Sequence, residues 1–304
     1  MTLLRHYVNG NTEVHLYDDG TKVREYKGKP ILVHPESFDC KITNYCNNNC
    51  KWCHEKSSSN GKHANLSRLL EVIKPLPAGV EIAIGGGNIL THPNLIPFLE
   101  EVKERGLIAN TTINQKSIQS NTDLIVSLIQ RKLIFGLGIS VSSSSDMKYL
   151  SPLLKITDNI VFHIISGVSE IKVIEELMNF ALGGGKTYCK VLILGYKEYG
   201  LGTGHYLSNK DLIDKNKLKW YREIGVFFKK DSLVLSFDNL AISQLNIRRF
   251  FSDKMWKRFY MGEEGFASMY IDAVEQKYAI CSVDSNRVSF DECGLIEFFK
   301  SINK

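Results

Sequence analysis

No stretch of this 304-residue chain approaches the roughly 18 consecutive apolar residues of a membrane-crossing helix, so none is expected. The first residues, Met1-Thr2-Leu3-Leu4-Arg5-His6, lack the apolar core of a secretory signal. Neither sign of charge dominates. Lys+Arg number 38 against 33 Asp+Glu, a net +5 that suits an anionic ligand without demanding nucleic acid. No low-complexity linker and no repeat of about 20–50 residues interrupts the chain. Cysteine is scarce and odd in number: there are seven, and three of them crowd into one short segment. That argues against a secreted disulfide framework. It points to metal or redox chemistry in a reducing compartment, and a cytoplasmic location is expected.

What the chain does have is an ordinary globular composition, 43% apolar and 23% charged, enough to bury a large core. Residues 7–27 read as a β-hairpin, with Val14, Leu16 and Tyr17 before Asp18-Asp19-Gly20 and Val23 and Tyr26 after it. Short apolar runs then alternate with helical patterns. Strands are expected at 38–44, 80–84, 108–113, 135–141, 160–165 and 190–194. Helices are expected at about 66–74, 93–105, 121–131, 146–155, 170–182 and 208–223. In the second of these, Leu95, Phe98, Leu99 and Val102 share a face opposite Glu100, Glu101, Lys103 and Glu104, and Gly106 closes it. Strand then helix, about six times over, implies an α/β fold with a parallel sheet and its helices outside.

After residue 230 the rhythm changes to a strand at 233–237, a short helix at 240–249 and a second hairpin at 268–272 and 278–282. The expected organisation is a hairpin at 1–35, the α/β body at 36–230 and a small α+β extension at 231–304 packed on the sheet. Gly183-Gly184-Gly185 reads as a turn before the sixth strand.

Directly after the first body strand stands Cys46-Asn47-Asn48-Asn49-Cys50-Lys51-Trp52-Cys53, a C-x3-C-x2-C spacing. One loop can wrap three such thiolates around a metal centre while leaving a coordination position free. The asparagines tolerate the left-handed turns this requires. A zinc site completed by His54 or Cys40 is the alternative reading of the same residues. The segment resembles the hallmark of the radical S-adenosylmethionine (radical SAM) superfamily, C-x3-C-x-aromatic-C, with Trp52 as the aromatic. The resemblance implies a partial (β/α)6 barrel in which Cys46, Cys50 and Cys53 ligate a single [4Fe–4S] cluster. The fourth iron would bind the methionyl end of S-adenosylmethionine (SAM). Reduction of SAM by an external one-electron donor such as flavodoxin or ferredoxin would then yield a 5′-deoxyadenosyl radical that takes hydrogen from substrate.

The same resemblance picks out further residues. Gly85-Gly86-Gly87-Asn88, ahead of His92-Pro93, stands where the family carries Gly-Gly-Glu-Pro against the SAM amine; Asn88 replaces the acidic residue and carries no charge. Asn114 and Ser140, at the ends of the third and fourth strands, are placed to meet SAM, as His163 and Ser166 are on the fifth. Lys197, Glu198 and Asp238 end later strands and are substrate-facing candidates; an N-cap role is open for Asp238. Cys281 is a candidate hydrogen-atom donor. Cys189, Cys281 and Cys293 are too few and too dispersed for a second cluster. The substrate expected is a peptide or protein, or else a nucleotide or RNA. A non-enzymatic metal-binding or interaction protein with a degenerate SAM site is the competing class.

Overall fold

The computed structural model describes residues 1–143, 145 and 147–303. Its first three strands, β1 (Leu3–Asn9), β2 (Thr12–Tyr17) and β3 (Lys22–Tyr26), form a separate antiparallel sheet. The β2–β3 hairpin turns on the expected Asp18-Asp19-Gly20. The expected hairpin omitted β1, which pairs with β2 across a second tight turn containing Gly10, at φ +64°. Apolar and polar residues do not alternate in β1, with Leu3-Leu4 and Tyr7-Val8 adjacent and Arg5-His6 between them, so no period of two is there to read.

The body follows as β4 (Ser37–Thr43), α1 (Leu66–Val72), β5 (Glu81–Gly86), α2 (Leu95–Glu104), β6 (Ile108–Asn114), α3 (Thr122–Gln130), β7 (Gly136–Ser140), α4 (Ser151–Leu154), β8 (Ile160–Ile165), α5 (Val173–Gly183), β9 (Cys189–Leu194) and α6 (Leu201–Glu223). The helix expected at 146–155 begins on Asp146, outside the described residues; from Met147 the chain makes a 3-10 turn before α4. The remaining elements are β10 (Leu233–Phe237), α7 (Asn239–Gln244), α8 (Asp253–Phe259), β11 (Ser268–Asp272), β12 (Lys277–Ala279), β13 (Val288–Ser289) and α9 (Leu295–Ile302).

Ten strands make one sheet in the order β10-β9-β8-β7-β6-β5-β4-β11-β12-β13. Strands β4 to β9 are all parallel to their neighbours, the partial-barrel arrangement expected. The C-terminal segment extends this sheet at both ends, with β10 beside β9 and β11 beside β4. On the helix side, Phe38, Cys40, Ile42, Ile82, Ile84, Phe162, Val191 and Ile193 are buried in one continuous core with Leu69, Phe98, Leu128 and Leu177. On the inner side, the alternate residues line an open concavity. The period of two along each strand separates core from lumen.

The β2–β3 turn closes over the lower, amino-terminal end of that concavity. Lys190 Nζ donates to the Asp19 carbonyl at 3.0 Å and Asn159 Nδ2 to the Asp18 carbonyl at 3.0 Å. Lys22 pairs with Glu81, and Arg24 with the fully buried Glu36 at 2.7 Å.

Two further departures have a physical cause on view. Gly183-Gly184-Gly185 is the end of α5, with the Gly185 and Lys186 amides donating to Leu182 and Ala181 carbonyls. And α6 starts at Leu201, seven residues before the start the sequence suggests. Glycines 202 and 204 are poor helix formers, yet the first turns pack against the cysteine loop, and tertiary contact overrides propensity. The kink at Asn209, φ −134°, sits beside the expected start at 208. Trp220, fully buried, anchors the far end through Nε1 to the Ser169 carbonyl at 2.8 Å.

Candidate active site

The cysteine loop leaves β4 at the carboxyl end of the parallel strands and is held from three directions. From β5, the Gly87 amide donates to the Thr43 carbonyl and the Asn88 amide to the Tyr45 carbonyl, both at 2.7 Å. Asn88 Nδ2 also donates to Asn47 Oδ1 at 3.1 Å. From the end of β6, Asn114 Nδ2 lies 3.5 Å from Cys50 Sγ, and Ser117 Oγ donates to Asn48 Oδ1 at 3.1 Å. From α6, the Leu201 amide donates to the Cys53 carbonyl at 2.9 Å, and the His205 ring meets the edge of Trp52 at 5.7 Å. Tyr196 Oη lies 2.9 Å from His205 Nδ1 and fixes that ring. Inside the loop, Asn49 takes the left-handed conformation at φ +52°.

Close approach explains two glycines. A β-carbon on Gly87 would sit 2.1 Å from the Tyr45 carbonyl oxygen, and one on Gly200 2.3 Å from that of His54. The backbone of the loop occupies the space any side chain there would need.

Beneath the loop, Trp52, Asn114, Ser140 and His163 line one small pocket. The sheet register accounts for this: Asn114 pairs with Ser140 and Ser140 with His163, so the three form a row across β6, β7 and β8. The structure thus brings together four residues that the sequence singles out separately. Gly85, Gly86, Gly87 and Asn88 do not line this pocket. Open space faces Gly85, whereas Gly86, Gly87 and Asn88 pack under the loop.

A family model described as the radical SAM superfamily matches residues 40–197, just over half of the chain. The chain belongs to the radical SAM superfamily. The family works with a [4Fe–4S] cluster and SAM. The structure of Streptococcus suis SuiB bound to S-adenosylmethionine is similar, with a TM-score of 0.63, 12% identity, 90% of this chain covered and 69% of that one. SuiB bound to precursor peptide SuiA matches with a TM-score of 0.61 and 14% identity, covering 88% of this chain and 65% of that one. This radical SAM chain therefore spans about two thirds of SuiB's length. No curated protein matches it.

The donor set fits a cluster better than a single ion. Cys46, Cys50 and Cys53 are free thiols, each partly accessible. Among the described residues, only His6, Glu13 and His15 place three His, Cys, Asp or Glu ligand atoms within 4.8 Å of one another, so the loop thiols stand further apart. Tetrahedral zinc, with Zn–S bonds of about 2.3 Å, would draw sulfurs to about 3.8 Å. Cys40 cannot complete such a site, because its side chain is buried in the core on the opposite face of β4.

Other candidates sort by contact. Asp238 caps α7, accepting from the Ala241 amide at 2.7 Å, and also binds the Gly195 amide at 2.9 Å. Ser166 donates to the Leu194 carbonyl, and Glu198 pairs with Lys217 at the surface. Lys197 donates to Ser282 Oγ at 2.9 Å, next to Cys281. Burial and the Glu264 carboxylate push the Cys281 thiol up to about 11, so it is protonated at neutral pH. Cys281 does not line the pocket under the loop, and it follows β12 instead of lying within a strand.

A buried ionic network, absent from the sequence reading, ties the loop's far end to β11. Lys41 Nζ lies 2.6 Å from Asp272 Oδ2 and 3.1 Å from Glu55 Oε2. Arg287 reaches the same Asp272 oxygen, and Tyr270 Oη donates to Glu55 at 2.9 Å. Burial raises the Glu55 carboxyl, but His54 and Lys41 outweigh it and hold it at about 2. Lys41 bridges the two carboxylates; without it Asp272 keeps Arg287 and Glu55 keeps His54, but the charge balance of the buried cluster shifts toward negative. Lys41→Met is expected to cost more in chemical denaturation than loss of a surface pair such as Arg68–Asp291, which is worth about 1 kcal/mol or less.

His163 is half-buried on the inner face of the sheet, lining the cavity and the pocket under the loop, and burial lowers its imidazole to about 4. It is neutral at physiological pH. The unfolded chain takes up this proton near pH 6.5 and the folded chain only near 4. Stability from this group is therefore complete above 6.5 and lost as the pH falls between those values. His163→Gln is expected to flatten that segment of the stability–pH curve measured by urea titration.

Proposed function

We propose that this radical SAM protein is an enzyme that holds one [4Fe–4S] cluster on Cys46, Cys50 and Cys53 and abstracts hydrogen from a peptide or protein. The observation that carries this reading is the pocket of Trp52, Asn114, Ser140 and His163 directly beneath the three-thiol loop. The cluster and SAM, when bound, supply a 5′-deoxyadenosyl radical by one-electron cleavage of the sulfonium; an external donor of the flavodoxin or ferredoxin kind provides the electron.

The chain's own residues do the positioning. Asn114 donates toward Cys50 sulfur, which orients the thiol and lowers the charge it must carry. Gly86 and Gly87 let the end of β5 pass close under the loop, and the bare edge at Gly85 leaves open space for an amino-acid group. Asn88 spends its amide on Asn47, so it braces the loop in place of the acidic residue of relatives. Ser140 offers a hydroxyl and His163 a neutral ring at the same level of the sheet. Below them the inner face widens into a cavity of about 460 Å³ that reaches Asn110, Thr112 and Lys190, room for a side chain. Support for a peptide comes from the likeness of fold to SuiB, which is known bound to a precursor peptide.

Anaerobic reconstitution tests the chemistry. A brown protein with about four irons per chain that releases 5′-deoxyadenosine on dithionite reduction supports it; a colourless zinc protein that leaves SAM intact refutes it. Mass profiles of peptides from a deletion strain test the substrate, and a change confined to RNA nucleosides would move the reading to nucleic acid.

A further inference from the structure

The outer face of the N-terminal sheet carries a donor set unrelated to the cysteine loop. His6 of β1 is directly opposite His15 of β2, their rings stacked at 4.6 Å with 17° between planes. His6 Nε2 lies 3.5 Å from Glu13 Oε2, and one ligand atom from each of the three residues falls within 4.8 Å of the others. Strand alternation puts Val14 and Leu16 in the interior and leaves His6, Glu13 and His15 facing outward. The antiparallel register therefore gathers three ligands from two strands on one side.

A second observation points to a cation there. Glu13 pairs directly with Glu25 of β3, on the same outer face. Like charges directly opposite one another destabilise a sheet. The two imidazoles beside that pair complete, with Glu13, a site whose occupant would offset the repulsion. Two imidazoles with one carboxylate suit a transition metal, not calcium or magnesium.

We infer that His6, His15 and Glu13 form a zinc site on the N-terminal sheet, separate from the cluster, with the fourth position filled by water or by Glu25. The metal cross-links the edge strand β1 to β2 and steadies the sheet whose turn closes the lower end of the barrel.

Zinc binding to cluster-loaded protein under anaerobic conditions, by equilibrium dialysis, tests this. One zinc per chain is expected, weakened at least ~10-fold by His6→Gln and by His15→Ala, with iron content and 5′-deoxyadenosine release unchanged. Cobalt at the same site should show weak visible bands without sulfur-to-metal charge transfer. Should His15→Ala fail to fold, the exposed edge-strand variant His6→Gln carries the test alone. Equal zinc affinity in wild type and His6→Gln, no zinc uptake by cluster-loaded wild type, or a thiolate band from bound cobalt would each overturn the inference.

Discussion

Serine in place of Cys46, Cys50 or Cys53 is expected to abolish reductive SAM cleavage to the background of the protein-free reaction, with folding intact. Each thiol is partly accessible and packs little core, so its removal costs contacts worth only a small fraction of the fold's stability. Its chemistry has no substitute, since an alcohol is a poor ligand for iron at neutral pH. The measurement is 5′-deoxyadenosine release beside far-ultraviolet circular dichroism on the same samples. Two comparisons sharpen it. Cys40→Ser and Cys189→Ser, in the buried core, should lower stability yet leave SAM cleavage per folded molecule unchanged. Asn114→Ala should sit between the extremes, losing about 10–100-fold because it orients Cys50 and is not a cluster ligand itself. Full turnover in Cys50→Ser would remove the cluster from this loop.

The second large effect belongs to Gly87. Alanine there places a methyl carbon 2.1 Å from the Tyr45 carbonyl oxygen, and that oxygen is already bound by the Asn88 amide. Backbone must move, because no flexible side chain can yield. Overpacking of this kind costs about 1–3 kcal/mol, and the strain falls on the residue immediately before Cys46. Gly87→Ala is expected to take up iron poorly and to release SAM several-fold faster, measured by iron analysis and by dialysis of labelled SAM. Gly85→Ala is the control: nothing lies within 4 Å of a β-carbon there, so it should load iron normally. Identical behaviour of the two variants would mean that the tight approach at Gly87 is not what shapes the loop.

Much of this architecture is legible in the residues, and the illegible parts share a cause. The strands of the body announce themselves because both faces are covered or enclosed, giving short β-branched runs between Gly, Pro and Asn punctuation. Residues 108–113 and 160–165 lie within one residue of β6 and β8 as found. Asn114 and Ser140 read as strand ends and are the last residues of β6 and β7, and register makes them neighbours. What could not be read is contact between distant segments. Gly200 and Gly202 look like loop residues, and only the loop at 52–54 lying against them shows why a helix begins there. Asn88 reads as a weakened acidic ligand until Asn47 is seen across from it. Cys281 reads as part of a strand, but β12 stops at Ala279 and the pocket lies elsewhere. The Lys41–Asp272–Arg287 network joins strands more than 200 residues apart in sequence, a pairing no local pattern encodes.

The three-sided grip on the cysteine loop has a consequence for how the protein matures. The partners of Asn47, Cys50 and Cys53 lie 41, 64 and about 150 residues downstream. Each of these closures must be made before the thiols are held in place, and contacts so remote in sequence form late. Iron delivered to the nascent chain would meet a slack tether of asparagines. Loading is thus expected to follow assembly of the scaffold, so that iron added during refolding should enter only after the parallel sheet has formed.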